Sequence, residues 1–230
     1  MKSAVKLSSE ERRAAIIKAV RTVFAEKGFH GTTTRELAEA AGVSEALLFK
    51  HFPNKEALFS DIKLSCCNEQ DLGKLERLKT LEPSASTLVL MVHFLVSRIV
   101  GGCAARDDEQ VILNRLMLRS LAEDGEFARS LLQRLESDWI PKVEECVRAA
   151  VAAGEAVARP VRADLGGWFA HHLAAVIMLN LLPATPVVDY GVSRAQLVEQ
   201  IVWFSLRGLG LKDDAIRRHY NPKALALFGG

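Results

Sequence analysis

Apolar residues recur every three to four positions along the whole chain, and no stretch alternates with period two between hairpin turns. The pattern predicts an all-α protein. Ile16, Val20, Val23 and Phe24 fall on one face of a first helix. Ser8 opens that helix with a capping box closed by Glu11, and Gly28 is expected to end it as a left-handed cap. Thr33 or Thr34 caps a short second helix running through Ala40, Ala41-Gly42-Val43 turns the chain, and Ser44 caps a third with Leu48 and Phe52 on one side. Pro53 stops the third helix, and Asn54-Lys55-Glu56 opens a fourth that runs past Cys67.

Longer apolar helices follow. One starts after Glu82-Pro83-Ser84 and ends at Gly101-Gly102, and a second spans roughly Asp107–Ala122. A third runs from Glu126 to Ala153 with an interruption at Pro141, which supplies no amide donor and must kink or break it. Gly154 to Pro160 reads as a connection, and helices near Asp164–Leu182 and Arg194–Leu209 flank the Pro183–Ser193 loop. No repeat or low-complexity tract interrupts the series.

Composition narrows the class. The chain has 230 residues, 49% apolar and 25% charged, which excludes a disordered, collagenous or disulfide-framework protein. Its net charge of +2 says little by itself, but the first 60 residues hold a basic excess and the remainder does not. The greasiest stretches, Leu88–Val96 and Leu173–Leu182, are about half the length a membrane span needs. Polar Ser8–Arg13 stands where a signal peptide would need its apolar region, and the four cysteines lack any CxxC, so a reduced cytoplasm is expected. Cys66-Cys67 read as ordinary buried thiols, with an oxidant sensor as the other reading.

The functional signal lies between Thr32 and Phe59. Two short helices joined by a glycine-containing turn form a helix-turn-helix, which sets its second helix in the DNA major groove. Ala38 is small enough for a close crossing, Gly42 permits a positive φ, and Leu37, Val43 and Leu48 face inward. Ser44, Glu45, Ala46, Leu47 and Lys50 lie outward on the recognition helix.

The match extends further. Gly28-Phe29, Thr32-Thr33-Thr34, Leu37-Ala38-Glu39-Ala40-Ala41-Gly42-Val43-Ser44 and Leu48-Phe49-Lys50-His51-Phe52-Pro53-Asn54-Lys55-Glu56-Ala57-Leu58 closely resemble the N-terminal domain of TetR-type transcriptional regulators. The resemblance covers about a quarter of the chain. It implies an N-terminal three-helix DNA-binding domain over residues 1–55 and a C-terminal helical bundle over 56–230 for ligand binding and dimerisation. It further implies a homodimeric repressor of an inverted-repeat operator in double-stranded DNA, released when a small molecule binds. Two positions depart from the pattern. Family members usually carry Tyr where this chain has Phe49, and a polar residue such as Thr where it has Leu47, so two DNA hydrogen bonds are lost, although Leu47 offers an apolar contact for a thymine methyl.

Candidate DNA contacts each have a plainer reading. Thr33 and Thr34 sit at a helix N-terminus that suits a phosphate, or act as caps alone. Lys55 is expected to grip the backbone, against a solvated lysine. Lys50 and His51 are phosphate or base candidates, and His51 is equally a packed or exposed histidine. Arg35 suits guanine and Glu45 the cytosine amine, or both are surface charges.

The C-terminal part is expected to bind a second copy and an apolar or amphipathic effector. The Arg194–Leu209 helix is apolar almost all round, including Ile201, Trp203 and Phe204; with Leu165, Trp168 and Phe169 it suits a four-helix dimer interface or a fully buried core helix. His93, Arg98, Arg115, Trp139, His171 and Asn180 are candidate pocket residues, or simply satisfied polar groups. Catalysis has little support: adjacent His171-His172 point about 100° apart on a helix and cannot form an i, i+4 metal pair, and no HExxH, GxSxG or phosphate loop appears. No cofactor or metal is expected, and the protein is not expected to be an enzyme. Three functions stay open: a ligand-responsive repressor, a ligand-independent DNA-binding activator, and a small-molecule-binding protein that has lost operator binding.

Overall fold

A computed structural model describes residues 7–65, 69–101, 109–158, 161–221 and 225. The described elements are helical: α1 (Ser9–Lys27), α2 (Thr34–Ala40), α3 (Glu45–His51), α4 (Lys55–Ser65), α5 (Glu69–Thr80), α6 (Ala85–Val96), α7 (Glu109–Ala122), α8 (Glu126–Arg134), α9 (Ile140–Ala152), α10 (Ala163–Leu181), α11 (Arg194–Gly208) and α12 (Asp213–His219). An isolated antiparallel bridge joins Ala156 and Leu211. Cys66, Cys67 and Cys103 lie outside the described residues, and no described helix is long and apolar enough to cross a membrane.

The chain divides into two compact units. The first takes Met1–Asn68 together with Ile112–Leu131; the second takes Glu69–Val111 and Leu132–Gly230. A boundary after residue 55 therefore does not coincide with the packing, because α4 and a segment some fifty residues further on share the first unit's core. Ile16, Val20 and Phe24 of α1 bury with Leu37 and Ala38 of α2, Leu48 of α3, Leu58 and Ile62 of α4, and Leu116 and Phe127. Phe59 lies 5.0 Å from Phe24, 5.1 Å from Phe29 and 5.8 Å from Phe127, ring centre to ring centre, so one aromatic cluster ties these elements together.

Side-chain caps start α1, α2, α3, α6 and α11. Ser8 and Glu11 form the expected capping box on α1. At its other end Gly28 has a positive φ of 74° but an extended ψ of 172°, not the left-handed helical conformation expected; its N–H still reaches the Phe24 carbonyl. A residue with a Cβ would be strained there whatever the space. The helix that starts at Glu126 is interrupted by a π-helical turn over Leu135–Trp139, just before Pro141, and α9 restarts with the proline in its first turn. Within that turn the Ile140 N–H donates to the Leu135 carbonyl, five residues back.

In the second unit α6, α9, α10 and α11 enclose a core that includes Leu88, Val92, Trp139, Val143, Ala174, Ile201, Val202 and Leu206. Ile201 is thereby corrected: at 3% exposed it belongs to this core and has no surface to offer a second copy. Trp168 and Trp203 are half-buried, with Trp203 lying edge-on to Tyr220. Leu165, Phe169 and Phe204 are exposed, Phe204 to 70%. After α11 a glycine-ended turn feeds α12, which Glu155 receives through Arg218 and His219 at 2.7 and 2.9 Å.

Candidate nucleic-acid interface

The α2–turn–α3 segment is built by local chemistry. Thr33 caps α2, its hydroxyl accepting from the Glu36 N–H, while Glu36 reaches back to the Thr33 N–H at 2.9 Å. The Glu36 carboxyl is held at about 2 by hydrogen bonds from Lys27 first and from Thr33 next. In the turn, the Val43 N–H bonds to the Ala38 carbonyl and the Gly42 N–H to the Glu39 carbonyl, the paired bonds of a Schellman motif. Gly42 supplies the required positive φ of 64° and faces open space, so its backbone freedom is what the turn uses.

Both ends of α3 are fixed. Ser44 caps the first, accepting from the Leu47 N–H at 3.2 Å. At the last, Arg13 of α1 donates to the His51 carbonyl at 2.5 Å, pairs with Asp61 of α4, and lies 4.3 Å over the Phe52 ring. Nothing in the sequence singles out Arg13. Its polar position among the apolar residues of α1 carries no sign of partners thirty-eight and forty-eight residues away.

Leu48 is buried, which turns the opposite side of the recognition helix outward. Ser44, Glu45, Ala46, Phe49 and Lys50 are exposed, and Leu47 and His51 are half-buried. Phe49 therefore presents an aromatic face without a hydroxyl. Thr34, at the first turn of α2, donates its hydroxyl to Glu45 at 2.8 Å. Arg35 pairs with Glu39 one turn along α2 at 3.0 Å, in a side-chain contact 80% exposed on the arginine. Such an exposed pair is weak in water and leaves the guanidinium accessible to solvent.

Lys55 stands differently from the other candidates. Its ammonium donates to the Phe29 carbonyl at 2.6 Å and the Thr32 carbonyl at 2.7 Å, and sits 4.4 Å from the Phe29 ring centre. It thus clamps the α1–α2 connection, with one N–H left over. Thr33, Thr34, Arg35, the outward side of α3 and Lys55 all belong to the first unit.

The candidate effector residues do not form one described constellation. Arg115 falls in the first unit and the other five in the second. Arg98 bonds to Gln110, and the Asn180 amide is spent on the Val176 carbonyl. His93 Nδ1, Trp139 Nε1 and His171 Nδ1 are buried with no partner among the described residues. Burial lowers the pKa of His93, and burial followed by the neighbouring His172 charge takes His171 down to about 4. Trp139 lies under α10, where a Cβ on Gly167 would come within 3.4 Å of its ring, and His171 follows one turn further along that helix. Among the described residues no group of three or more His, Cys, Asp or Glu is placed to hold a metal ion.

Residues 16–62 match the family model of bacterial regulatory proteins, tetR family. Among curated proteins, the chain is 44% identical over 62 aligned positions to the HTH-type transcriptional regulator RutR of Escherichia coli strain K12, covering 24% of this chain and 29% of that protein. It is 39% identical over 51 positions to the HTH-type transcriptional repressor KstR2 of Rhodococcus jostii, covering 22% and 25%. The matched stretch spans under a third of each relative's length. Similarity to solved structures runs through both units. AibR, solved with isovaleryl coenzyme A and operator DNA, aligns with a TM-score of 0.61 at 21% identity, covering 84% of this chain and 97% of that one. A tetR-family regulatory protein from Rhodococcus RHA1 aligns at 0.62 and 18% identity, covering 88% and 99%. At these identities the likeness establishes the fold: an N-terminal helix-turn-helix domain followed by a helical domain.

Proposed function

We propose, from the match of residues 16–62 to the tetR-family model, that the whole chain is a ligand-responsive transcriptional repressor in the cytoplasm. The observation that carries the reading is the recognition helix: pinned by Ser44 and Arg13 at its two ends, anchored by Leu48, and exposing Ser44, Glu45, Ala46, Phe49 and Lys50. A helix held in this way enters a major groove as a rigid body, with its N-terminal residues against base edges. Lys50 and His51 serve the phosphates, and Arg35 exchanges Glu39 for a base or a phosphate.

The operator is an inverted repeat because the protein acts as a homodimer. Leu165 and Phe169 of α10 and Phe204 of α11 expose large apolar surface on the second unit, of the kind that is buried against a second copy. The effector is uncharged or amphipathic and carries a hydrogen-bond acceptor. In support, His93, Trp139 and His171 hold buried polar atoms without partners among the described residues, and burial lowers the pKa of both imidazoles. No part of this reading asks for enzymatic chemistry.

Selection of bound duplexes from a random pool by the purified protein tests the reading. An inverted repeat is expected, and its binding should weaken with salt and with Lys50→Ala. Recovery of no enriched sequence at low salt would overturn operator binding. It would put the chain among helical proteins that bind a small molecule and no DNA.

A further inference from the structure

We propose that Thr34 and Glu45 act together as a selectivity strut, through which the protein demands an exocyclic amine, cytosine N4 or adenine N6, at one fixed position of each operator half-site. The inference rests on the operator-binding reading above and goes on to name the base chemistry it reads and a residue that enforces it.

Glu45 is the first residue of the recognition helix and is exposed, where a major-groove helix meets base edges. The Thr34 hydroxyl, from the first residue of α2, donates to its Oε2 at 2.8 Å across the turn. One carboxylate oxygen is thus taken by the protein and Oε1 remains to meet the DNA. A carboxylate only accepts hydrogen bonds. In the major groove cytosine and adenine present N–H donors, whereas guanine offers N7 and O6 and thymine O4, all acceptors. Facing a guanine or thymine, Glu45 would set oxygen against oxygen or nitrogen with no proton between them and leave both groups desolvated. Facing an amine, it makes one charge-assisted bond.

Thr34 is the positioning residue in this arrangement. Two consecutive threonines stand at the start of α2, and the Thr33 hydroxyl is already donated to Glu36 at 2.9 Å within its own capping box. Thr34 does not cap; it spans eleven residues to hold the glutamate. A free Glu45 side chain has three rotatable bonds and turns away from an unfavourable base. A held one turns away only by giving up its bond to Thr34, so the strut makes a tolerant acceptor less tolerant of keto edges. The negative charge also opposes the phosphates, so the protein gives up some general DNA affinity for discrimination.

The test is duplex selection at one fixed salt concentration with the full chain, Glu45→Gln, Thr34→Val and Thr34→Ser, with thermal unfolding recorded for each. The expected wild-type result is one column per half-site in which cytosine or adenine exceeds guanine and thymine by about tenfold. Which amine-bearing base dominates separates the two sources. Glu45→Gln, whose amide both donates and accepts, should admit guanine in that column and raise binding to unselected DNA. Thr34→Val should flatten the same column and leave the others, and Thr34→Ser should restore it. An unchanged column in Glu45→Gln, or a loss of affinity equal across all sequences in Thr34→Val at unchanged folding, would overturn the proposal. If wild type enriches no sequence, operator binding itself fails and the strut falls with it; an enriched motif without the amine column refutes the strut alone.

Discussion

Replacing Lys55 by alanine separates two roles that the residue's chemistry allows equally. In the structure its ammonium holds the carbonyls of Phe29 and Thr32, at 2.6 and 2.7 Å, and lies over the Phe29 ring. Hydrogen bonds to a charged group contribute about 1.5–3 kcal/mol each when well buried. Lys55 is half-buried and water can reach the vacated carbonyls, so the pair together is worth about 2 kcal/mol. That is roughly a thirtyfold rise in the open population of the α1–α2 connection. All three tryptophans, Trp139, Trp168 and Trp203, belong to the second unit, so their fluorescence is blind to this change. Amide exchange in α2 is the assay that sees it. DNA binding supplies the second readout. If Lys55 instead neutralised a phosphate in each protomer, its loss would reduce the log–log salt slope by about 1.8 for a dimer. The clamp predicts faster exchange and a slope close to wild type, while Lys50→Ala should reduce the slope by about that amount and leave exchange alone. Unchanged exchange in Lys55→Ala, together with the full drop in slope, would refute the clamp.

Phe204→Glu should leave the fold intact, since 70% of the residue is exposed, yet turn a dimer into a monomer by light scattering; a dimer of undiminished stability would move the interface elsewhere. Because His171 titrates at about 4 in the folded chain and near 6.5 when unfolded, its contribution is complete above about pH 6.5 and is lost as pH falls towards 4. Urea unfolding at pH 7 and pH 4.5 should differ by about 1–3 kcal/mol less in His171→Gln than in wild type, and equal differences would refute this. Arg13→Met keeps the aliphatic stem over Phe52 but frees the His51 carbonyl and Asp61, so it should destabilise the first unit by about 1–3 kcal/mol in chemical unfolding followed by circular dichroism.

Local chemistry made the DNA-binding segment readable. Ser8, Thr33 and Ser44 cap the helices that the sequence assigns to them, and Gly42 turns the chain where a positive φ is needed, because each effect acts within four residues. The placement of Lys55 was not readable. A lysine opening a helix after an Asn in this motif suggests a phosphate, and only the fold brings carbonyls from twenty-three and twenty-six residues earlier beneath its ammonium. The Thr34–Glu45 contact and the Arg13 anchor were hidden for the same reason. The first unit's extent was hidden too, since residues 112–131 enter its core through Leu116 and Phe127, and periodicity within α7 or α8 does not say which core a face enters.

The limit is sharpest on α11. A helix that is apolar nearly all round satisfies both a core and an interface, and periodicity cannot divide one from the other. Packing does so residue by residue: Leu197, Val198, Ile201, Val202, Ser205 and Leu206 turn inward, whereas Phe204 stands out among them at 70% exposure. Phe169 of α10 is 57% exposed and Leu165, one turn earlier, is exposed as well, while Ala170 and Ala174 of the same helix are buried. The inward side of α10 carries Gly167, Ala170, Ala174 and Met178, with Trp168, Leu173 and Ile177 packed at its margins, so the large apolar residues Leu165, Phe169 and Val176 are left outside a core the helix already fills. At about 25 cal/mol per Å², leaving two phenylalanines mostly in water forgoes several kcal/mol that a smaller or polar residue would not put at stake. The proposed homodimer would recover that forgone burial by setting these side chains against a second copy of the chain.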